Sequence, residues 1–282
     1  MNSQVVLITG ASSGIGKRTA EILLTEGYIV YGAARRVENM QSIKEQGAHT
    51  HYLDITDDTG IQDLVDTIIK EQGRIDILIN NAGYGSYGAI EDVPISEGKR
   101  QFEVNVFGLA RLSQLVIPHM REQSFGKIIN ISSVAGKIHS PLGGWYHASK
   151  HALEGLSDCL RFELKPFGID VIIIEPGLIA TEWDDIALES AKTYSGKTIY
   201  KPHIQGLRNL FSNMHPAAPD VIAHIIIKSI TTRKPKTRYV AGFGTKPLLF
   251  FKKFMSDKFY DSVMRKVCQL EGIRHKARGK KE

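Results

Sequence analysis

At 282 residues, 42% hydrophobic and 23% charged, the chain can bury a full core, and no internal repeat or Pro/Ser-rich linker divides it. Much of its +6 net charge lies in the terminal run Arg274 to Lys281, which has no nucleic-acid-binding fold around it, so nucleic acid is not an expected partner. Its two cysteines, Cys159 and Cys268, exclude a disulfide framework and stand at no metal-ligand spacing; both are expected to be ordinary buried or half-buried thiols.

The first predicted strand is the β-rich apolar run Val5-Val6-Leu7-Ile8, which leads straight into Thr9-Gly-Ala-Ser-Ser-Gly-Ile-Gly16. A helical pattern follows: Ile15, Ala20, Ile22, Leu23 and Leu24 alternate with Lys17, Arg18 and Glu21 up to Gly27. Strand, glycine turn and helix together aim helix N-terminal amides at a pyrophosphate. Gly10 suits the tight turn, Gly14 the approach of backbone to phosphate, and Gly16 the packing of helix on strand. Tyr28 to Ala34 reads as the second strand. Where an NAD site usually carries an acid for the ribose hydroxyl, this chain has Ala34 followed by Arg35 and Arg36. Guanidinium groups clamp a 2′-phosphate that a carboxylate would repel, which points to NADP(H) over NAD(H), with Arg35 the first choice and Arg36 the second.

Further strands are expected near 49–53, 75–80, 126–131, 170–175 and 238–241. Strands alternating with helices, joined by right-handed crossovers, give an α/β, doubly wound parallel sheet whose ligands bind at the carboxyl ends of the strands. Tyr146 and Lys150 lie one helical turn apart, which sets a phenol beside an ammonium. A fixed positive neighbour lowers a phenol from its ordinary value of about 10 towards neutrality, so the pair is candidate general acid/base machinery.

From residue 4 to about residue 245 the sequence resembles the short-chain dehydrogenase/reductase family. Thr9-Gly10-x-x-x-Gly14-x-Gly16 resembles its glycine motif. Leu53-Asp54 resembles the segment that meets the adenine, and Asn80-Asn81-Ala82-Gly83 the turn after the fourth strand. Val104-Asn105-Val106 resembles the segment with the helix asparagine, and Ile131-Ser132-Ser133 the one with the serine. Pro176-Gly177 with Thr181 resembles the part that holds the nicotinamide carboxamide. The resemblance implies a seven-stranded Rossmann-type sheet in the order 3-2-1-4-5-6-7. It also implies a cofactor set of Gly10, Ser12, Gly14, Ile15, Gly16, Asp54, Asn81, Ala82, Gly83, Pro176, Gly177 and Thr181, with Tyr146 and Lys150 on the ribose. One departure concerns Ser13, which occupies the place where some NADP(H)-using members carry a basic residue; selectivity then rests on the Arg35 side.

Four residues take catalytic roles in this reading. Tyr146 exchanges a proton with the substrate oxygen as hydride moves, and Ser133 donates a hydrogen bond to that oxygen. Lys150 lowers the tyrosine and binds ribose, and Asn105 holds a water that links Lys150 to solvent. A serine after an apolar strand also commonly caps the next segment. His147 and His151 stand one turn apart, as metal ligands can, with Glu154 continuing the face, but no metal is expected because Tyr146 and Lys150 already account for that turn. The segments 96–124 and 147–167 read as long helices, which in this family commonly meet their copies in a homodimer or homotetramer.

Beyond Thr181, Trp183, Ile186, Leu188, Tyr194, Tyr200, Ile204, Leu207, Leu210, Phe211 and Met214 suggest an apolar lid over residues 181–215. The expected substrate is a hydrophobic alcohol or carbonyl compound, as in members acting on steroids and retinoids; a core role for these residues, an idle NADP(H)-binding sensor or scaffold, and a membrane-surface lipid reductase stay open. Residues 1–245 are taken as the catalytic domain and 246–282 as an extension. In that extension Leu248, Phe251, Met255, Phe259, Val263, Val267 and Leu270 form the stripe of one amphipathic basic helix, followed by a tail read as disordered. The helix suits a peripheral membrane contact, a subunit contact or closure of the substrate side. No uninterrupted apolar run approaches the ~20 residues of a spanning helix and the N-terminus shows no leader pattern, so a cytoplasmic protein is expected.

Overall fold

The computed structural model describes residues 4–212, 216–242 and 244–268. Strands β1 (Val5–Thr9), β2 (Ile29–Ala34), β3 (His49–Tyr52), β4 (Ile77–Asn80), β5 (Gly126–Ile131), β6 (Ile169–Pro176) and β7 (Arg238–Ala241) form one sheet in the order β3-β2-β1-β4-β5-β6-β7. Every pairing is parallel, with Val6 opposite Val30 on one side and Ile77 on the other. This is the doubly wound order that the resemblance implied.

The crossovers are α1 (Gly14–Thr25), α2 (Gln41–Glu45), α3 (Asp58–Gln72), α4 (Ile95–Phe102), α5 (Leu109–Glu122) and α6 (Gly144–Leu164), with α7 (Trp183–Ser195), α8 (Lys201–Ser212) and α9 (Pro219–Thr231) between β6 and β7. The expected long helix from 96 to 124 is α4 and α5 joined through a π-helical stretch, Glu103–Gly108. Helices cover both faces of the sheet, which is why β1 is apolar without alternation. Its two-residue period sends Val6 and Ile8 to one face, against Ala20 and Leu23 of α1 and Ile222 and Ile226 of α9. Val5 and Leu7 go to the other, against Ile61, Leu64 and Ile68 of α3 and Leu112 and Val116 of α5.

Polar side chains inside this core are paired in series. Asn80 of β4 donates through Nδ2 to Ser113 Oγ of α5 at 3.1 Å and to Asn130 Oδ1 of β5 at 2.9 Å. Asn130 in turn donates to Ser157 Oγ of α6 at 2.9 Å. The relay ties the centre of the sheet to α5 and α6. Lys127 of β5 is 6% exposed, and its Nζ donates to the carbonyls of Ser229 (3.3 Å), Ile230 and Thr232 (2.9 Å). A helix end leaves such carbonyls without intrahelical donors, so a buried ammonium here caps α9.

Two expectations are corrected. Cys159 is exposed on α6, because it falls on the solvent side of that helix, while Cys268 is buried. The C-terminal stripe does not form one helix. Chain after β7 gives α10 (Thr245–Lys252) and α11 (Asp257–Val267), separated where Ser256 caps α11 by accepting from the Phe259 amide at 3.4 Å. Phe251, Phe259 and Val267 of the stripe are exposed, and Tyr260, which is not part of it, is the residue that turns inward. Met214, Leu270 and the tail from Arg274 lie outside the described residues. No described helix is long and apolar enough to cross a membrane.

Replacing Lys127 with Met removes the donor and leaves the α9 carbonyls buried without a partner. Urea denaturation of Lys127→Met is expected to show a loss of about 2 kcal/mol; an unchanged midpoint would remove the cap from this account.

Candidate active site

The glycine turn and the turn after β4 are locked together at the carboxyl edge of the sheet. Gly10 takes a left-handed backbone, φ +69°, and donates its amide to Ala33 O at 2.8 Å. Asn81 Nδ2 donates to the carbonyls of Thr9 (3.0 Å) and Gly10 (3.2 Å), and the amides of Asn81 and Ala82 donate to Thr9 Oγ1. A β-carbon at Gly16 would lie 2.4 Å from Gly10 O and 2.5 Å from Asn81 Nδ2, so only glycine lets α1 start this close to the turn. The first amides of α1 therefore point out of the sheet edge with no intrahelical acceptor.

They open into a cleft of about 470 Å³ lined by Gly10, Ser12, Gly14, Ile15, Arg35, Arg36, Asp54, Asn81, Ala82, Gly83 and Thr181. Gly16, Pro176 and Gly177 are not among its lining. Pro176 ends β6, where Ser133 Oγ donates to its carbonyl at 3.4 Å. At the rim, Arg36 pairs with Glu182 at 3.2 Å and donates to Ser13 Oγ at 3.2 Å. Arg35 makes no ion pair among the described residues. Burial acts against ionisation of Asp54, but two hydrogen bonds from Thr56, with Arg35 and Arg100 nearby, hold its carboxyl below the ordinary value.

Ser133, Tyr146, Lys150 and Asn105 come together as a buried group, each 9% exposed or less. Ser133 is both cap and neighbour: its Oγ accepts from the Ala135 amide at 3.1 Å, and it lies near enough to the Tyr146 phenol to act on its ionisation. The expected lowering of Tyr146 by Lys150 is not found. Burial pushes the phenol up to about 12; Ser133 opposes this and the charge of Asp184 adds to it. The lysine Nζ is 6.0 Å from the Tyr146 ring centre and donates to Ile131 O of β5 at 2.8 Å. Burial brings Lys150 itself down to about 8, with Glu154 opposing. Desolvation dominates at both groups, and the charges that act on them are Asp184 at the phenol and Glu154 at the lysine.

The side chain of Asn105 joins the loop after β4 to α6. Its Oδ1 accepts from the Tyr84 amide at 3.1 Å, and its Nδ2 donates to Tyr84 O at 2.9 Å and Ser149 Oγ at 3.1 Å. The π-helical stretch thus clamps the loop after β4 to α6, one residue from Lys150. His147 is buried and brought down to about 4 by that burial; its Nδ1 donates to Ala135 O and its Nε2 meets Ser140 Oγ, each at 2.9 Å. His151 Nδ1 bonds His147 O at 2.8 Å.

Sequence reasoning missed Tyr87 and the position of Asp184. Tyr87 is 3% exposed, with its ring centre 5.8 Å from Tyr146, 5.6 Å from Trp183 and 6.3 Å from Phe211. Aromatic residues set between glycines in Gly83-Tyr-Gly-Ser-Tyr-Gly88 were the available signal. Trp183 stands 5.0 Å from Tyr146, and Leu188 of α7, Tyr200 of the turn before α8, and Leu210 and Phe211 of α8 pack over the same wall with buried Ile204 and Leu207. Asp184, beside them, is brought up to about 6 by burial and by Asp185, and its Oδ1 has no hydrogen-bond partner among the described residues.

The family model for short chain dehydrogenases matches residues 4–190. The chain belongs to that family. Among relatives, it is 44% identical over 66% of its length to the 3-ketodihydrosphingosine reductase of Bacteroides thetaiotaomicron, covering 67% of that protein. It is 35% identical to the NADPH-dependent 3-dehydrocapnine reductase of Ornithobacterium rhinotracheale, over 93% of this chain and 98% of that one. Among solved structures, a short-chain dehydrogenase from Streptomyces avermitilis superimposes with a TM-score of 0.77 at 32% identity, covering 96% of this chain and 97% of the other.

Behind Lys150, this short-chain dehydrogenase buries two carboxylates, Glu154 and Glu175, 3% and 2% exposed. Lys137 and Arg238 pair with Glu154 at 2.8 and 3.1 Å, so the expected histidine-lined face ends in an ion-pair network. Arg238 Nε stands 3.2 Å from Glu175 Oε1 off the hydrogen-bonding line, leaving Oε1 of both acids without a donor. A proton held on Glu175 supplies one: burial, then the charge of Glu154, pushes this acid up to about 7. Its folded value lies above the unfolded one, so the stability it contributes is complete in acid and is lost as pH rises through neutrality. The urea midpoint is therefore expected to fall between about pH 5 and about pH 8, and Glu175→Gln should flatten that slope; an identical slope in the variant would place the titration elsewhere.

Proposed function

We propose that the chain is an NADP(H)-dependent oxidoreductase that interconverts a carbonyl group and an alcohol on a hydrophobic small molecule, with Tyr146 as the proton donor and acceptor. The observation that carries this reading is the meeting of a buried phenol and Ser133 Oγ at the same sheet edge as the open amides of α1. The cleft fits a dinucleotide. Its glycine floor admits no β-carbon at Gly16, its helix N-terminus suits a pyrophosphate, and Arg35 at the rim is available for a 2′-phosphate. Gly10, Ser12, Gly14, Ile15, Asn81, Ala82, Gly83 and Thr181 would hold it along the cleft, with Asp54 at the adenine end and Pro176 and Gly177 at the nicotinamide end. When bound, the cofactor supplies or accepts the hydride.

Tyr146 then gives its proton to the carbonyl oxygen, and Ser133 donates a hydrogen bond to the same oxygen as charge develops there. A phenol pushed up to about 12 keeps its proton at neutral pH, the form that a donor to a carbonyl oxygen needs. Lys150 stays largely protonated and is placed to hold ribose hydroxyls; Asn105 positions α6 through Ser149 and the Tyr84 loop. The aromatic wall of Tyr87, Trp183 and Phe211 suits a lipophilic carbonyl compound of the kind that steroid- and retinoid-active members take. Relatives named as reductases, one of them NADPH-dependent, support the same chemistry and cofactor. Exposed Phe107 and Phe162, next to α5 and on α6, support a subunit contact along these helices.

Turnover of NADPH with a panel of lipophilic ketones and aldehydes tests the reading; tight binding without turnover would favour a sensor. Tyr146→Phe is expected to lower kcat by roughly 10²- to 10⁴-fold while NADPH affinity is kept, and near-normal turnover would put the acid elsewhere. Arg35→Asp is expected to shift the NADPH to NADH preference by about 10- to 100-fold. An unchanged ratio would move the phosphate clamp to Arg36.

A further inference from the structure

Outside the cleft, α10 and α11 form a surface that inverts the usual amphipathic arrangement. Tyr260 is the side chain turned inward, 1% exposed, with its hydroxyl donating to His139 O at 2.9 Å and Lys252 Nζ standing 4.5 Å over its ring. Phe250, Phe251, Phe254 and Phe259 are turned outward, each 56% exposed or more. The Phe250 ring lies 5.7 Å from Phe251 and 5.3 Å from Phe254, so part of the patch is a continuous apolar ridge.

Charge without an ion-pair partner in the described part of α10 and α11 is of one sign. Lys246, Lys253, Lys258, Arg265 and Lys266 are exposed, and none makes an ion pair among the described residues. The nearby acids are already engaged, Asp257 with Lys252 at 3.2 Å and Asp261 with His139 at 3.0 Å. Contiguous aromatic surface left in water is unfavourable and marks a contact site. Its partner must be apolar and anionic together. A second copy of the same patch would set lysine against lysine, which costs free energy. A bilayer rich in acidic lipid takes the rings at the acyl boundary and the ammonium groups among the headgroups.

The patch also adjoins the active-site edge. A β-carbon at Gly177, just past β6, would lie 2.3 Å from Thr245 Cγ2 at the start of α10, and His139, which carries α11, belongs to the loop between Ser133 and Tyr146. We propose that α10 and α11 are a docking surface for an anionic membrane. The inference does not rest on the carbonyl chemistry proposed above, since binding is measured without cofactor or substrate.

The test is sedimentation of the full chain with phosphatidylcholine vesicles and with mixed phosphatidylcholine and phosphatidylglycerol vesicles, at low and high salt. The protein is expected to sediment with the mixed vesicles only, and salt should release it. Phe250→Ser with Phe254→Ser is expected to weaken partitioning by roughly tenfold per ring, and Lys253→Glu with Lys258→Glu to weaken it by roughly fivefold per residue. Circular dichroism should stay unchanged, because these side chains face water. Folded protein that ignores anionic vesicles would overturn the proposal. So would sedimentation that survives the phenylalanine changes and is lost only when residues 269–282 are deleted, or light scattering that shows a dimer dissolved by those same changes.

Discussion

A side-chain amide donor in a dry interior needs an acceptor, and the way this chain meets that demand fixes where its chemistry can occur. Asn80, Asn130 and Ser157 connect the middle strands to α6, and Asn105 connects the π-helical stretch to Ser149 on the same helix. Helix α6 is thereby held at two levels. Its first turn carries Tyr146, so the polar relay and the apolar cluster around Tyr87 together set the phenol beside Ser133. Hydrophobic packing alone tolerates sliding by a fraction of a turn; a hydrogen-bonded amide does not.

Burial governs the electrostatics at that point. It raises Tyr146 and lowers Lys150, so each group is shifted towards its uncharged form. The lysine answers to Ile131 O on one side and to Glu154 on the other, which makes it a strut between β5 and α6 as well as a charge. Glu175 continues the pattern one strand further in. Glu154 is paired instead with Lys137 and Arg238, and Arg238 of β7 reaches both α6 and Glu175 of β6.

Much of this was legible in the residues. Val5 to Ile8 is apolar without alternation because both faces of a parallel strand are covered, and the glycines of the first turn are forced by contacts such as Gly16 against Gly10 O. The grouping of Ser133, Tyr146, Lys150 and Asn105 came from family resemblance, and they do come together in space. Long-range partners were not legible. Nothing local to Lys150 says that it will meet Ile131 O, nothing near Asn105 says that Tyr84 will occupy it, and Tyr87 acquires its place only when α7 and α8 fold over it. Periodicity failed at the C-terminus for a definite reason: the inward residue is chosen by a hydrogen bond, Tyr260 to His139, and the phenylalanines follow it outward.

That tyrosine has a wider consequence. The family model ends at residue 190, yet α11 reaches back to rest on the segment linking the two central catalytic candidates. A change in the last helices therefore reaches the loop between Ser133 and Tyr146 while every motif of the matched segment stays as it was.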